Sequence, residues 1–142
     1  MPLIAITRLR VRARRFLPSF FVQVLRTGLQ ARKASGSLAV SVLREANRTF
    51  WTRTVWTDES AMRAYVSAAP HRQVMGKLAN WCDEASVAQW IQESSDQPSW
   101  QEVHRLMQKL GRASRVDHPT EAQRAFQIPP PRVRRTGVLR FK

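Results

Sequence analysis

Of the three histidines in this 142-residue chain, His71 is the one placed to do chemistry. It follows Pro70 directly, where one helical run stops and another begins. An imidazole in the first turn of a helix feels the positive end of the dipole, which favours the neutral ring. It can then serve as a base or as a metal or haem ligand. Trp51, Arg53, Trp56, Tyr65 and Trp81 surround it in sequence and read as walls of an aromatic pocket for a flat organic substrate. Arg53 or Arg8 would supply a positive donor for an anionic oxygen. The competing use for His71 is a cap or a hydrogen-bonded structural role, and for the aromatic residues a place in the core or at a dimer contact. His104 falls on a solvent-leaning helix position and His118 in a loop beside Pro119. No Ser/His/Asp order, glycine-rich phosphate loop or pair of metal-binding carboxylates is recognisable.

The elements that must position these groups centre on residues 49–82. Thr49, Trp51, Arg53 and Val55 alternate with Phe50, Thr52, Thr54 and Trp56, the period of a strand. The period then changes. Thr57 and Asp58 can cap a helix carrying Met62, Tyr65, Val66 and Ala69, and Pro70 interrupts it before a second run with Val74, Met75, Leu78, Trp81 and Cys82. Upstream, residues 3–12 alternate as a first strand, and a helix with Pro18 in its first turn carries Leu17, Phe20, Phe21, Val24, Leu25 and Leu29. Leu38–Arg44 forms a second strand, joined by a polar turn to the strand at Thr49, so the two make an antiparallel hairpin. Ser86–Gln92 alternates as a fourth strand. Ser99 with Glu102 fits a capping box ahead of a helix bearing Val103, Leu106, Met107 and Leu110, and Gly111 stops it.

Length and composition allow one core. Five Trp, six Phe and 43% hydrophobic residues are globular values. The lone Cys82 excludes an internal disulfide and reads as a buried thiol in a reducing compartment. The apolar run Leu3–Ile6 is too short for a signal sequence, and the run from Phe16 to Leu29 is broken by Pro18, Ser19, Gln23, Arg26 and Thr27, so a soluble cytoplasmic protein is expected. The net charge of +14 is concentrated at the ends, with no acid before Glu45 or after Glu121. A phosphate-rich partner is one reading of that charge and solvated surface the other.

The order strand, helix, strand, strand, helix, strand predicts an α+β, ferredoxin-like βαββαβ domain over 1–115. Its four-stranded antiparallel sheet would carry helices on one face, with an additional C-terminal helix. Such a sheet leaves its other face bare, which predicts a homodimer packing sheet on sheet into an α/β barrel. Residues 116–142, with three consecutive prolines and five basic residues after Ile128, read as an extension that packs on a partner or stays mobile.

The runs FWTRTVWTDESAMRAYVSAAPHRQVM, NWCDEASVAQW and PSWQEVHRLMQKLGR resemble an uncharacterised bacterial family of the dimeric α/β-barrel superfamily. That family is similar to antibiotic-biosynthesis monooxygenases and more distantly to spheroidene monooxygenase. Trp56, Asp58, His71, Met75, Trp81, Trp90, Trp100 and Gly111 stand at the places of the family pattern, over a span from the first strand to Arg115. Pro70 departs from it, where a small non-proline residue is expected. The resemblance implies a small-molecule-binding protein akin to cofactor-free or haem-linked monooxygenases, with His71 as the polar centre of a cavity between sheet and helices. A cofactor-free oxygenase needs a base to make a substrate carbanion that reduces oxygen directly, and His71 is the residue suited to that task. The alternatives are a nucleic-acid-binding basic protein, with stacking aromatics on the sheet and phosphate contacts at the ends, and a dimeric scaffold without catalysis.

Overall fold

A computed structural model describes residues 1–142, the side chain of Arg135 excepted. Its sheet is built from β1 (Leu3–Val11), β2 (Ser37–Glu45), β3 (Thr49–Trp56), β4 (Cys82–Ile91), β5 (Arg112–Ala113) and β6 (Val138–Arg140), in the order β5-β4-β1-β3-β2-β6, with every neighbouring pair antiparallel. The inner four strands have the ferredoxin-like order that the sequence predicts. The sheet has six strands rather than four, because a short segment after the last long helix and the C-terminal tail each add to an edge.

The helices are α1 (Leu17–Lys33), α2 (Glu59–Ser67), α3 (His71–Trp81), α4 (Trp100–Leu110) and α5 (Glu121–Ala125). Their starts follow capping chemistry. Asp58 Oδ1 accepts from Ala61 N–H at 2.8 Å to open α2, and Ser99 Oγ accepts from Glu102 N–H at 3.1 Å to open α4. Only this half of the α4 capping box forms, since the Glu102 carboxylate turns to Arg105. β4 starts four residues earlier than alternation suggests. Asp83 and Glu84 look like solvent residues, yet they are buried against Arg10 (2.6 Å) and Arg8 (2.7 Å) on β1.

Both faces of the sheet are covered. On one, Leu3, Val40, Phe50 and Trp56 pack beneath Phe20 and Ala31 of α1 and Met62 of α2. On the other, Ile4, Ile6, Leu43, Trp51 and Val55 pack beneath Trp100, Val103 and Met107 of α4 and beneath Ile128. The face that the sequence reading leaves bare for a second copy is thus closed within the chain, and the argument for a sheet-on-sheet dimer loses its surface. The reason is an amphipathic α4 that folds back across the sheet, with the chain after it following.

That following chain packs on the rest of the fold. Gln123 of α5 donates to the Ala85 and Ser114 carbonyls and accepts from Ala85 N–H, all near 3 Å, and Thr120 Oγ1 donates to Glu84 at 2.9 Å. Val116, Ile128 and Phe141 each join a different apolar cluster of the 1–115 region. The segment 116–142 therefore belongs to the same folded body. Among the described residues, no helix is long and apolar enough to cross a membrane.

Candidate functional site

Between the α1–α2–α3 layer and the sheet lies a cavity of about 420 Å³, within the usual range for small-molecule sites. Its floor follows from strand register. Thr7 on β1 faces Thr52 on β3 and Val87 on β4, and Ala5 faces Thr54 and Gln89 in the next row. The Thr54 hydroxyl is committed, donating to the Ala5 carbonyl at 3.2 Å and accepting from Trp56 Nε1 at 2.8 Å. Thr7 and Thr52 make no side-chain hydrogen bond with any described residue, so their hydroxyls remain for an occupant. The roof is Val24 and Thr27 of α1, Met62 and Tyr65 of α2, and His71 and Leu78 of α3.

His71 is the first residue of α3, after the cis Ala69–Pro70 peptide bond. Gln30 of α1 fixes it. The Gln30 Oε1 accepts from the His71 N–H at 2.7 Å while its Nε2 donates to the Tyr65 and Ala68 carbonyls, so one amide ties α1 to the end of α2 and the start of α3. The imidazole packs on Tyr65 with ring centroids 4.8 Å apart, and Tyr65 packs on Trp56 at 5.1 Å. Burial lowers the His71 pKa, opposed by an interaction with the Val66 backbone, so the ring is neutral near pH 7. Its Nδ1 is buried without a well-formed hydrogen bond to any described residue. The Tyr65 hydroxyl donates to the Thr27 carbonyl at 3.2 Å, and burial raises its pKa beyond the ordinary phenol range.

Trp56, Tyr65 and His71 are therefore together on the cavity wall. Trp51, Arg53 and Arg8 are not. Trp51 and Arg53 differ from Trp56 by an odd number of residues, so the pleat sends them to the other face, under α4. There Arg8 pairs with Glu84 and lies 5.8 Å from the Trp51 ring centroid. Arg53 stacks 4.1 Å from the Trp100 centroid and donates to the Pro98 carbonyl at 2.7 Å. Burial, and then the charge of Arg140, pull the Arg53 pKa down to about 10, which leaves it cationic at neutral pH. Trp81 ends α3 in the cluster around Val11 and Phe20, beside Lys77, and does not line the cavity. These four residues act in the fold, not at His71. The Cys82 thiol, raised to about 12 by burial and by Asp83, is inert.

The same geometry removes the expected platform for base stacking. Trp51 and Trp56 are both fully buried, so neither face of β3 offers its tryptophan to a nucleic acid. A haem is also poorly matched to this lining. Its two propionates would meet a single cation, Arg112, among the described lining residues.

Sequence reasoning does not single out Thr7, Thr52, Gln89, Gln30 or Arg112. Alternation puts the two threonines on the correct strand faces but among apolar neighbours, and a β-branched residue in a strand carries no sign of what its hydroxyl meets. Gln30 gives no signal at all.

A profile described as a domain of unknown function, DUF3291, matches residues 21–132. No curated protein matches the sequence significantly. Among solved structures, a mutant of SnoaB, a cofactor-independent oxygenase from Streptomyces nogalater, superposes with a TM-score of 0.56 at 17% identity, over 66% of this chain and 94% of that one. A candidate antibiotic biosynthesis monooxygenase from Nitrosomonas europaea gives 0.58 at 14% identity, over 65% and 90%. Rv0793 from Mycobacterium tuberculosis gives 0.60 at 9% identity, over 66% and 97%. At these identities the likeness is one of fold.

Proposed function

Because the chain belongs to the DUF3291 family, whose description names no activity, we propose a function from the cavity itself: it binds a flat, largely apolar organic molecule, and His71 serves it as a base. The observation that carries this reading is a neutral imidazole on the wall of a cavity of about 420 Å³, with a buried Nδ1 that makes no well-formed hydrogen bond in a largely apolar lining. A buried polar atom without a well-formed hydrogen bond is uncommon, and here it belongs to a residue of the cavity wall. No carboxylate is among the described residues that line the cavity, so the imidazole is the only base of suitable strength among them.

The fold shared with a cofactor-independent oxygenase supports a more specific chemistry. His71 takes a proton from an acidic C–H of the substrate, and the carbanion is the reductant of molecular oxygen. A C–O bond forms, the O–O bond of the resulting hydroperoxide breaks, and a methylene carbon plus O₂ becomes a carbonyl plus water. Substrate alone supplies the electrons. Apolar walls keep the carbanion from bulk water.

Anthrone, a three-ring ketone with an acidic methylene, tests both levels. Binding is read by tryptophan fluorescence, and turnover by oxygen uptake with formation of the quinone. His71→Ala is expected to keep binding and lower the rate by about 10²–10⁴-fold. Unchanged turnover in that variant would sink the base assignment, and failure of anthrone and naphthalene-sized probes alike to bind would sink the cavity reading.

A further inference from the structure

We propose that the ligand class is an amphiphilic anion, held by Arg112 at the cavity rim and by the Thr7 and Thr52 hydroxyls further in. The inference rests on the cavity reading above and adds the charge and spacing of the occupant.

Three observations converge. Arg112 is the sole Lys or Arg among the described lining residues, and no Asp or Glu stands among them to neutralise it. It is exposed and makes no ion pair or side-chain hydrogen bond with any described residue. Five arginines packed on the sheet or its edges are committed: Arg8 and Arg10 to acids, Arg12 to Asn80, Arg48 to the Val11 carbonyl and Arg53 to the Pro98 carbonyl. A free guanidinium at the mouth of an apolar hollow is suited to a carboxylate or sulfonate, which it can hold bidentately while the apolar body lies inside.

Register fixes where the second polar contact falls. Arg112 pairs with Val87, Val87 with Thr7 and Thr7 with Thr52, so all four occupy one row across β5, β4, β1 and β3 and project from one face. Neighbouring strands are about 4.8 Å apart, which puts the threonine pair roughly 10–15 Å from Arg112 at the backbone. The reach of the arginine side chain shortens that span. In this row, only Val87 stands between cation and hydroxyls. The row therefore reads an anionic group, an apolar body about two rings long, and a hydroxyl or carbonyl at the far end.

The probes are 2-naphthoate, its neutral methyl ester and 6-hydroxy-2-naphthoate, titrated against the full chain by tryptophan fluorescence. The carboxylate is expected to bind about tenfold more tightly than the ester, and the hydroxy acid more tightly still. Arg112→Gln should erase the preference for the acid without changing ester affinity. Arg115→Gln, an exposed arginine outside the lining, should leave the preference intact, which separates a local contact from the general attraction of a +14 chain. Thr7→Val with Thr52→Val should remove the gain from the hydroxyl alone. Equal affinity for acid and ester, or a preference that Arg115→Gln weakens as much as Arg112→Gln, would overturn the proposal while the cavity reading stands. If no probe binds, the cavity reading fails first.

Discussion

The Tyr65 ring rests against the His71 imidazole at a centroid separation of 4.8 Å, and both line the cavity, where His71 is half-buried. Burial without a compensating acid disfavours the imidazolium, so the folded-state pKa lies below the ordinary 6.5. The sign follows. Above 6.5 the ring is neutral in folded and unfolded chains alike, and stability does not depend on it. As pH falls from 6.5 toward the folded value, the unfolded chain takes up a proton that the folded chain refuses, and stability is lost. Urea unfolding at pH 5 and pH 7.5 should show this loss in the natural chain and a smaller one in His71→Gln. An NMR titration should place the His71 transition below 6.5. A value at or above 6.5 would mean that the Val66 backbone interaction outweighs burial.

Arg8 and Glu84 lie on the other side of the sheet, both nearly inaccessible and 2.7 Å apart. Removing one partner strands a buried charge, at a cost of about 3–5 kcal/mol. Glu84→Gln also weakens the contact to Thr120 that docks the chain after α4. Both Arg8→Met and Glu84→Gln should lower the urea midpoint sharply. The double variant Arg8→Met with Glu84→Leu should recover much of the loss. None of the three should alter the affinity of a probe for the cavity, because the sheet separates the two sites. A binding defect without a stability defect would return Arg8 to the site.

Gly36, between α1 and β2, has φ near +84°, and its carbonyl accepts from Thr57 N–H at 2.8 Å. A Cβ there would approach Ala61 Cβ to 2.5 Å and Thr57 Oγ1 to 2.7 Å. The left-handed backbone alone costs an L-residue about 1–2 kcal/mol, and the collision with α2 adds to it. Gly36→Ala should therefore destabilise by more than about 1–2 kcal/mol, read from the denaturant midpoint. Gly76→Ala, with open space around it, should be neutral or stabilising in the same assay.

How far these features can be read from sequence differs by element. Strand parity is fully legible, and the alternation of Trp51 with Trp56 already forbids the two from sharing a pocket. The phase of α1 is not. Leu25 and Leu29 look like core residues yet are 39% and 47% exposed, while the buried line runs through Phe20, Gly28 and Ala31. Small residues there permit close approach, and Gly28 in particular leaves room for the Phe141 ring. Large apolar residues dominate any periodicity argument, so a stripe of small ones is overlooked. The cover over the second sheet face is hidden for a different reason. Its helix is recognisable, with the correct cap and stripe, but periodicity says which face is apolar and not what that face meets. The choice between a partner copy and the chain's own sheet depends on a long-range packing decision that no local pattern encodes.

That decision gives the last prediction. Met107 is fully buried between α4 and the sheet, and Ile128 closes the same cluster from the chain beyond α5. Met107→Ala should cost about 2–5 kcal/mol, the range for deleting a large core side chain. Ile128→Asp places a charge in the cluster that holds Trp51 and Val55 and should loosen the cover without touching the βαββαβ core. Such a chain would expose the apolar sheet face, bind a fluorescent hydrophobic dye and gain mass in sedimentation as copies pair through that face. The natural chain should show neither the dye signal nor any association that Ile128→Asp strengthens through an already formed sheet contact. If the natural chain sediments as a dimer and Trp51→Phe or Val55→Ala weakens that dimer, α4 does not stay where it packs in a single subunit. The sheet face would then be shared between copies after all, and the self-cover would be a state that dimerisation displaces.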